Sequence, residues 1–353
     1  MATGTAGAQV ISLLFAPFIA RLYGAEALGL LGTFAAILSI ATPLVTLTYP
    51  IAIVLPRYDG HAKALAKLSI IVAAGMSLLL AMLLIPWGEN LATLLNAQEF
   101  IGLLWVFPLA TFLAGLNQVM QQWMIRNKRF QITARVSLIH SVMLNCTKLG
   151  VGMFAPVGSA LIILAAFFSG INAALLLVGQ RITQKEISEK PGKVGNQKFV
   201  LLARKYRDFP KFRAPQITIQ AISATLPVLL LAVYFGPAEA GYYGLARMVL
   251  GAPVSLLGHS VSSVFYPKVT ETAHAGENVS RMVAKSTVAL ASIGAVPLLA
   301  VIIVGPWFFN AIFGTEWRVS GEYSQWMAPW LLAFLASRPA ECAIPVLGRQ
   351  GWL

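Results

Sequence analysis

The sequence has few charged residues and very few acidic ones. Only 11% of its 353 residues are charged, with 13 Asp and Glu together. An average soluble domain has about 25% charged residues. A soluble enzyme of this size would therefore have too few charged residues to cover its surface. A disordered chain would be far less apolar. The two cysteines, Cys146 and Cys342, lie in apolar stretches, which argues against a disulfide scaffold and says nothing about the redox compartment.

Apolar residues make up 58% of the chain, and mean hydropathy is +0.74. A membrane-spanning helix needs roughly 20 mostly apolar residues, and eight charge-free runs are long enough: 1–20, 27–56, 68–88, 100–125, 149–180, 214–238, 248–267 and 286–315. Two more segments, 136–155 and 325–346, qualify if Lys148, Arg338 and Glu341 are accepted inside the membrane. These runs exceed the length of a barrel strand. We therefore predict an all-α integral membrane protein with about ten spanning helices.

The charges of the connecting loops alternate along the chain. Net positive charge concentrates in every second loop, at 57–67, 126–135, 181–213 and 268–285. By the positive-inside rule, this pattern predicts a multi-pass protein with both ends of the chain in the cytoplasm. The net charge of +13 is then a topology signal and does not indicate nucleic acid as a partner. The basic 181–213 loop is also expected to touch anionic membrane lipids.

The sequence resembles itself at an offset of 212 residues. Residues 23–32 align with 235–244, and three glycine pairs coincide: Gly24 with Gly236, Gly29 with Gly241, and Gly32 with Gly244. Two repeats in the same orientation are one known plan of transporters. We predict a six-helix first lobe (1–180), a basic cytoplasmic linker (181–213) and a second lobe (214–353) around a central cavity. Only four helices fit in the second lobe, so the chain is expected to be truncated.

Six short motifs occur along the chain: Gly4-Thr5-Ala6, Ala20-Arg21-Leu22-Tyr23-Gly24, Ala52-Ile53-Val54-Leu55-Pro56, Arg126-Asn127-Lys128-Arg129-Phe130, Gly241-Tyr242-Tyr243-Gly244-Leu245-Ala246-Arg247 and Phe265-Tyr266-Pro267. In their order and spacing they resemble the polysaccharide biosynthesis or O-antigen flippase family, within the multidrug/oligosaccharidyl-lipid/polysaccharide exporter superfamily. The resemblance implies translocation of undecaprenyl-pyrophosphate-linked oligosaccharide across the bacterial inner membrane. It also implies a role in the synthesis of O-antigen, capsule or exopolysaccharide, with polysaccharide polymerase and glycosyltransferases as partners.

Cations inside predicted spans are the candidate ligands for a diphosphate, because burying a charge in a bilayer is costly. Arg247 lies in a Gly/Ala/Pro-rich stretch, where a guanidinium suits bidentate phosphate binding. Its alternative role is a structural ion pair. Arg338 and Glu341 are three residues apart, so an ion pair on one helix face is equally plausible. Lys148 stands beside polar neighbours, and Arg21 fits an interfacial position better than a ligand role.

Amide side chains supply a second set of candidates. Asn117 and Gln121 share one face of the fourth predicted helix, where they would either line the cavity and bind sugars or join two helices. The sequence shows no phosphate-binding Gly-rich loop and no metal spacing, so we expect no enzyme activity, no cofactor and no metal. The alternative function is a cation-coupled small-molecule exporter of the multidrug type, which would need a carboxylate such as Glu341.

Overall fold

The computed structural model describes residues 2–94, 98–184, 199–274 and 278–346, and every regular element in those ranges is helical. This confirms the prediction of an all-α chain. The α-helices are α1 (Ala2–Thr46), α2 (Tyr49–Ala52), α3 (Asp59–Leu94), α4 (Val106–Arg126), α5 (Phe130–Gly152), α6 (Gly158–Gln184), α7 (Phe199–Lys205), α8 (Ala214–Phe235), α9 (Pro237–His274), α10 (Val279–Phe313) and α11 (Arg318–Val346). Short 3₁₀ turns cover Gln98–Leu103 and Thr315–Trp317, and a π-helical turn covers Phe209–Arg213.

Five helical segments of the described chain are long and apolar enough to cross a membrane. They are Ala6–Thr46, Asp59–Asn90, Gly158–Arg181, Phe209–Phe235 and Val279–Phe313. The chain is therefore a multi-pass membrane protein, and the count of ten spans stays a prediction.

Helix α1 is divided at Gly24. Its apolar segment of 41 residues would be about 60 Å long if straight, twice the thickness of the hydrocarbon core. Gly24 interrupts it with φ 73° and ψ 176°, a conformation that is essentially restricted to glycine. The residues before and after it form two arms, 2–23 and 25–46, each long enough to span the bilayer.

The helices of residues 2–184 alternate in direction, as their contacts show. The first arm of α1 runs parallel to α5, and the second arm runs parallel to α4. Helix α3 is antiparallel to α4, and α5 is antiparallel to α6. The defining contacts are Ala8 with Ser141, Tyr23 with Lys148, Phe34 with Phe107, Thr46 with Gly115, Ser77 with Thr111, Ala73 with Gly115, His140 with Phe168, and Ile132 with Gly179. Up-and-down packing of this kind requires the chain to reverse at Gly24.

The second predicted span, 27–56, is wrong at its C-terminal end. The α-helix stops at Thr46, and Leu47 and Thr48 take left-handed backbone angles with φ 47° and 53°. A four-residue helix, α2, then begins with Pro50 in its first turn. Proline cannot donate an amide hydrogen bond to a preceding helical turn, so a new helix starts there although the apolar run continues.

Other predicted boundaries also shift. The overlapping runs 136–155 and 149–180 resolve into α5 and α6, with Pro156 in the connection. The predicted span 100–125 starts as a 3₁₀ turn and becomes α-helical only at Val106. Hydropathy marks the part of a helix inside the bilayer, whereas the backbone hydrogen bonds continue into the polar ends.

The chain consists of two compact units, Met1–Gly241 and Tyr242–Leu353, with the boundary inside α9. Within the second unit, α9 runs parallel to α11, and α10 is antiparallel to α11. The contacts are Tyr242 with Ser320, Gly258 with Arg338, Gly294 with Leu335, and Gly305 with Ser324. The second arm of α1, α3 and α4 have the same relative directions, which is the pattern that a sequence repeat predicts.

The predicted lobes and linker (1–180, 181–213 and 214–353) stay a prediction. Residues 185–198 of the linker and 347–353 at the end of the sequence lie outside the described residues.

The aligned glycines of the repeat have matching local structure. Gly236, between α8 and α9, has φ 95° and ψ 168°, close to the angles of Gly24. A Cβ atom on Gly29 would overlap the carbonyl oxygen of Pro237 and lie 2.9 Å from the amide nitrogen of Gly241. The second arm of α1 and the start of α9 therefore cross with their backbones in contact. We call this contact the glycine crossing.

Candidate functional site

Lys148 lies near the C-terminal end of α5 and is partly buried. The hydroxyl of Tyr23 donates a hydrogen bond to its backbone carbonyl at 2.8 Å, which ties this turn of α5 to α1. Within the described ranges, the ammonium group of Lys148 forms no salt bridge. A cation in a membrane helix without a carboxylate partner is costly, and an anionic ligand would compensate it.

One and two turns before Lys148, a hydroxyl–amide cluster joins α5 to the first arm of α1. The hydroxyl of Ser141 donates to the carbonyl of Ala8 at 2.9 Å, and Ser12 and Ser141 have their hydroxyl oxygens 3.2 Å apart. The buried Asn145 amide donates to the Ser141 carbonyl at 2.7 Å. These bonds fix the helix face next to Lys148, and sequence reasoning did not identify them because single serines in an apolar run carry no distinct signal.

Asn117 joins α4 to α6. Its amide oxygen accepts from the side-chain amide of Asn172 at 3.1 Å and weakly from Gln121 at 3.5 Å. Asn172 was missed because it stands alone in the apolar run 149–180. The observed bond fits the interpretation of Asn117 as a link between helices, while Gln121 is exposed.

Arg338 and Glu341 form the ion pair that their spacing allowed. The guanidinium donates to the Glu341 carboxylate at 2.8 Å, and Ser337 donates to the same carboxylate at 3.1 Å. The Arg338 guanidinium carbon lies 3.9 Å from the centre of the Phe334 ring, and the side chain packs against Gly258 of α9. In the described part of the chain, the buried Nε of Arg338 has no hydrogen-bond partner. The hydrogen-bonding capacity of the Arg338 guanidinium is thus only partly used.

Arg247 and Arg21 occupy different environments. Arg247 is partly buried in the third turn of α9, and Arg21 is exposed three residues before Gly24. Each interacts with another part of the protein, so neither is a free cation.

Arg126 is a residue whose role the sequence did not reveal. Its side chain is only 10% exposed and bonds to Asp59 at 2.7 Å, to the carbonyl of Pro56 at 2.6 Å and to that of Ile53 at 3.3 Å. These carbonyls belong to the segment after α2, where no helix continues to satisfy them. Arg126 therefore holds the 53–56 segment against the end of α4.

Few of the predicted site residues are in direct contact with one another. Asn117 bonds to Gln121, and Arg338 bonds to Glu341. No hydrogen bond in the described chain links either amide to Lys148. Among the same residues, no group of three or more His, Cys, Asp or Glu is placed to hold a metal ion.

A family model for polysaccharide biosynthesis proteins matches residues 18–322. The chain belongs to this polysaccharide biosynthesis protein family. The match runs from α1 to α11 and includes Arg21, Lys148 and Arg247, while Arg338 and Glu341 lie beyond it. The family that the motifs resembled is thereby confirmed as far as polysaccharide biosynthesis.

Two curated relatives of this polysaccharide biosynthesis protein are distant. The amylovoran biosynthesis protein AmsL of Erwinia amylovora is 21% identical over 264 residues, which cover 75% of the present chain and 65% of AmsL. The teichuronic acid biosynthesis protein TuaB of Bacillus subtilis is 20% identical over 243 residues, covering 68% of the chain and 48% of TuaB. The alignments thus span less than two thirds of either relative. No solved structure matches the chain.

Proposed function

We propose that this polysaccharide biosynthesis protein translocates undecaprenyl-pyrophosphate-linked oligosaccharide across the bacterial inner membrane. The observation that carries the proposal is the partly buried ammonium group of Lys148, which has no salt-bridge partner within the described ranges. A diphosphate head group supplies the missing anion, and the family and the membrane helices supply the context. The protein acts as a transporter without catalysing a reaction.

In this proposal, cationic side chains bind the diphosphate and amide side chains bind the sugars. Lys148, together with Arg247, Arg338 and Arg21, contacts the diphosphate at different stages of its passage. Gln121 and Asn117 contact the sugars. The loops at 57–67, 126–135, 181–213 and 268–285 face the cytoplasm, where glycosyltransferases build the substrate, and the polymerase acts on the product outside.

The test is a clean deletion complemented with the full gene carrying Lys148→Met, Lys148→Arg or the exposed-site control Lys63→Met. The deletion strain accumulates lipid-linked repeat units on the cytoplasmic face and loses surface polysaccharide. The control restores both to wild type, Lys148→Met restores little, and Lys148→Arg restores part because the charge remains. Normal surface polysaccharide in the deletion strain, with no paralogue present, would overturn the proposal.

The multidrug-type alternative has less support. Cation coupling needs a carboxylate that is free to exchange its ion, and the Glu341 carboxylate already binds Arg338 and Ser337. Drug sensitivity that changes on expression while polysaccharide stays normal would favour this alternative.

A further inference from the structure

We propose that residues 201–213 form a binding surface for the anionic phospholipid head groups of the membrane leaflet at which α8 begins. Five cations make up this surface, which we call the basic collar: Arg204, Lys205, Arg207, Lys211 and Arg213. The proposal goes beyond translocation, because its ligand is the bilayer itself and its readout is lipid binding.

One side of the 201–213 segment packs against the rest of the protein. Leu202 is 3% exposed and belongs to a core cluster with Tyr49 and Leu65. Ala203, Tyr206 and Phe209 pack against the same cluster.

Two side-chain hydrogen bonds add to this packing. The hydroxyl of Thr48 donates to the Phe209 carbonyl at 3.1 Å, and that of Tyr49 donates to the Ala203 carbonyl at 3.4 Å. The segment is therefore held on α2 and cannot turn its charges inward.

The other side presents the basic collar to the surroundings. All five cations are exposed, and Asp208 is the single acid among residues 199–213. Within the described chain, none of the five forms a salt bridge, and Arg213 makes only a hydrogen bond to Gln216 at 3.0 Å. No carboxylate of the described residues thus pairs with the positive charge of the basic collar.

Exposed apolar groups accompany the charges. Leu201 is 60% exposed and Phe212 is 62% exposed. The ammonium of Lys211 lies 5.1 Å from the centre of the Phe212 ring. Apolar and aromatic side chains beside lysines suit the boundary between acyl chains and head groups. There the apolar side chains contact the acyl chains and the cations contact the head groups.

The position of the basic collar favours the bilayer over a soluble anion as its ligand. A segment long and apolar enough to cross the membrane starts at Phe209 and continues through α8 to Phe235. The basic collar therefore extends across the start of this segment, at the membrane boundary. Clusters of four to eight cations next to a spanning helix attract anionic lipids. A nucleic acid is a less suitable ligand, because the cations lie against the bilayer surface.

The experiment uses the full chain purified in detergent micelles and titrated with phosphatidylglycerol or phosphatidylcholine. Bound lipids are counted by native mass spectrometry, and melting temperature is recorded in parallel. We expect the wild type to retain phosphatidylglycerol about fivefold better than phosphatidylcholine, given the number of cations. This preference should fall in about 0.5 M salt because exposed charges are screened.

The test variant is Arg204→Gln/Lys205→Gln/Arg207→Gln, and the matched control is Arg57→Gln/Lys63→Gln/Lys67→Gln, which removes the same charge from other exposed sites. The test variant loses most of the preference and the control keeps it. A second variant, Lys211→Gln/Arg213→Gln, gives a partial loss and serves if the triple variant melts at a lower temperature than the wild type.

Three outcomes would overturn the proposal. They are equal retention of both lipids by the wild type, an equal loss in test and control variants, and displacement of phosphatidylglycerol by inorganic pyrophosphate or by a single-stranded oligonucleotide. Because lipid retention is measured without transport, a failed translocation assay and a failed lipid assay are distinguishable.

Discussion

Gly29 and Gly241 face each other in a reciprocal contact. A Cβ atom on Gly29 would overlap the carbonyl oxygen of Pro237, and one on Gly241 would overlap the carbonyl oxygen of Ala25. At the repeat offset, Gly29 is equivalent to Gly241 and Ala25 to Pro237. Each repeat thus offers the same glycine and the same carbonyl to the other, and neither position has room for a side chain.

Substitution of either glycine by alanine should push the two helices apart. We expect Gly29→Ala and Gly241→Ala each to cost about 1–3 kcal/mol, the usual penalty of overpacking. The measurement is the melting temperature of the purified protein, together with surface polysaccharide in a complemented deletion strain.

Gly244→Ala is the control, because a Cβ at Gly244, one turn further along α9, meets no atom within 4 Å. Alanine favours a helix over glycine by roughly 0.5–1 kcal/mol, so Gly244→Ala should leave stability unchanged or raise it. If Gly29→Ala melted like Gly244→Ala, the glycine crossing would not be a close contact.

Gly236 isolates the effect of backbone conformation. Its φ of 95° is unfavourable for any side chain, yet a Cβ there meets nothing within 4 Å. Gly236→Ala should therefore destabilise by about 1–3 kcal/mol through strain alone, and Gly24→Ala should behave alike. Thermal unfolding compares them with Gly251→Ala, a helical position with open space. Equal melting of all three would contradict the assigned turns.

Arg126 and Asp59 should contribute unequally although they form one ion pair. Asp59 is 67% exposed, so Asp59→Asn should cost under about 1 kcal/mol, as exposed pairs do. Arg126→Ala leaves the carbonyls of Ile53 and Pro56 without their donor and should cost about 1–3 kcal/mol. Chemical unfolding of both variants gives the comparison, and an equal loss would show that only the ion pair matters.

Asn117 and Asn172 should be coupled across α4 and α6. In a double-mutant cycle with alanine, we expect a coupling energy of about 0.6 kcal/mol, typical of hydrogen bonds between membrane helices. The cycle of Gln121 with Asn172 serves as the comparison and should give a smaller coupling energy, because these two side chains do not bond to each other and share only the acceptor on Asn117. Zero coupling between Asn117 and Asn172 would mean that their hydrogen bond does not stabilise the contact of α4 with α6.

The glycine pattern shows how far the sequence could predict the fold. The alignment paired Gly24 with Gly236, and both residues have the positive φ that only glycine adopts readily. The same alignment paired Gly29 with Gly241 but could not show that they touch. A repeat indicates equivalence in sequence, whereas contact depends on how the helices are placed.

Short-range pairs were more predictable than long-range ones. The Arg338–Glu341 pair follows from a spacing of three residues on one helix. The end of α1 at Thr46 and the bond between Asn117 and Asn172 depend on packing between distant segments. Hydropathy could not show them, because residues 27–56 and 149–180 carry no charge and are mostly apolar.

The glycine crossing has the symmetry of an isologous interface. In a twofold homodimer, residue i of one copy meets residue j of the other, and j meets i. Gly29 with Pro237 and Gly241 with Ala25 follow this rule within one polypeptide. Fusion of two copies in tandem would preserve such an interface while freeing the two halves to diverge.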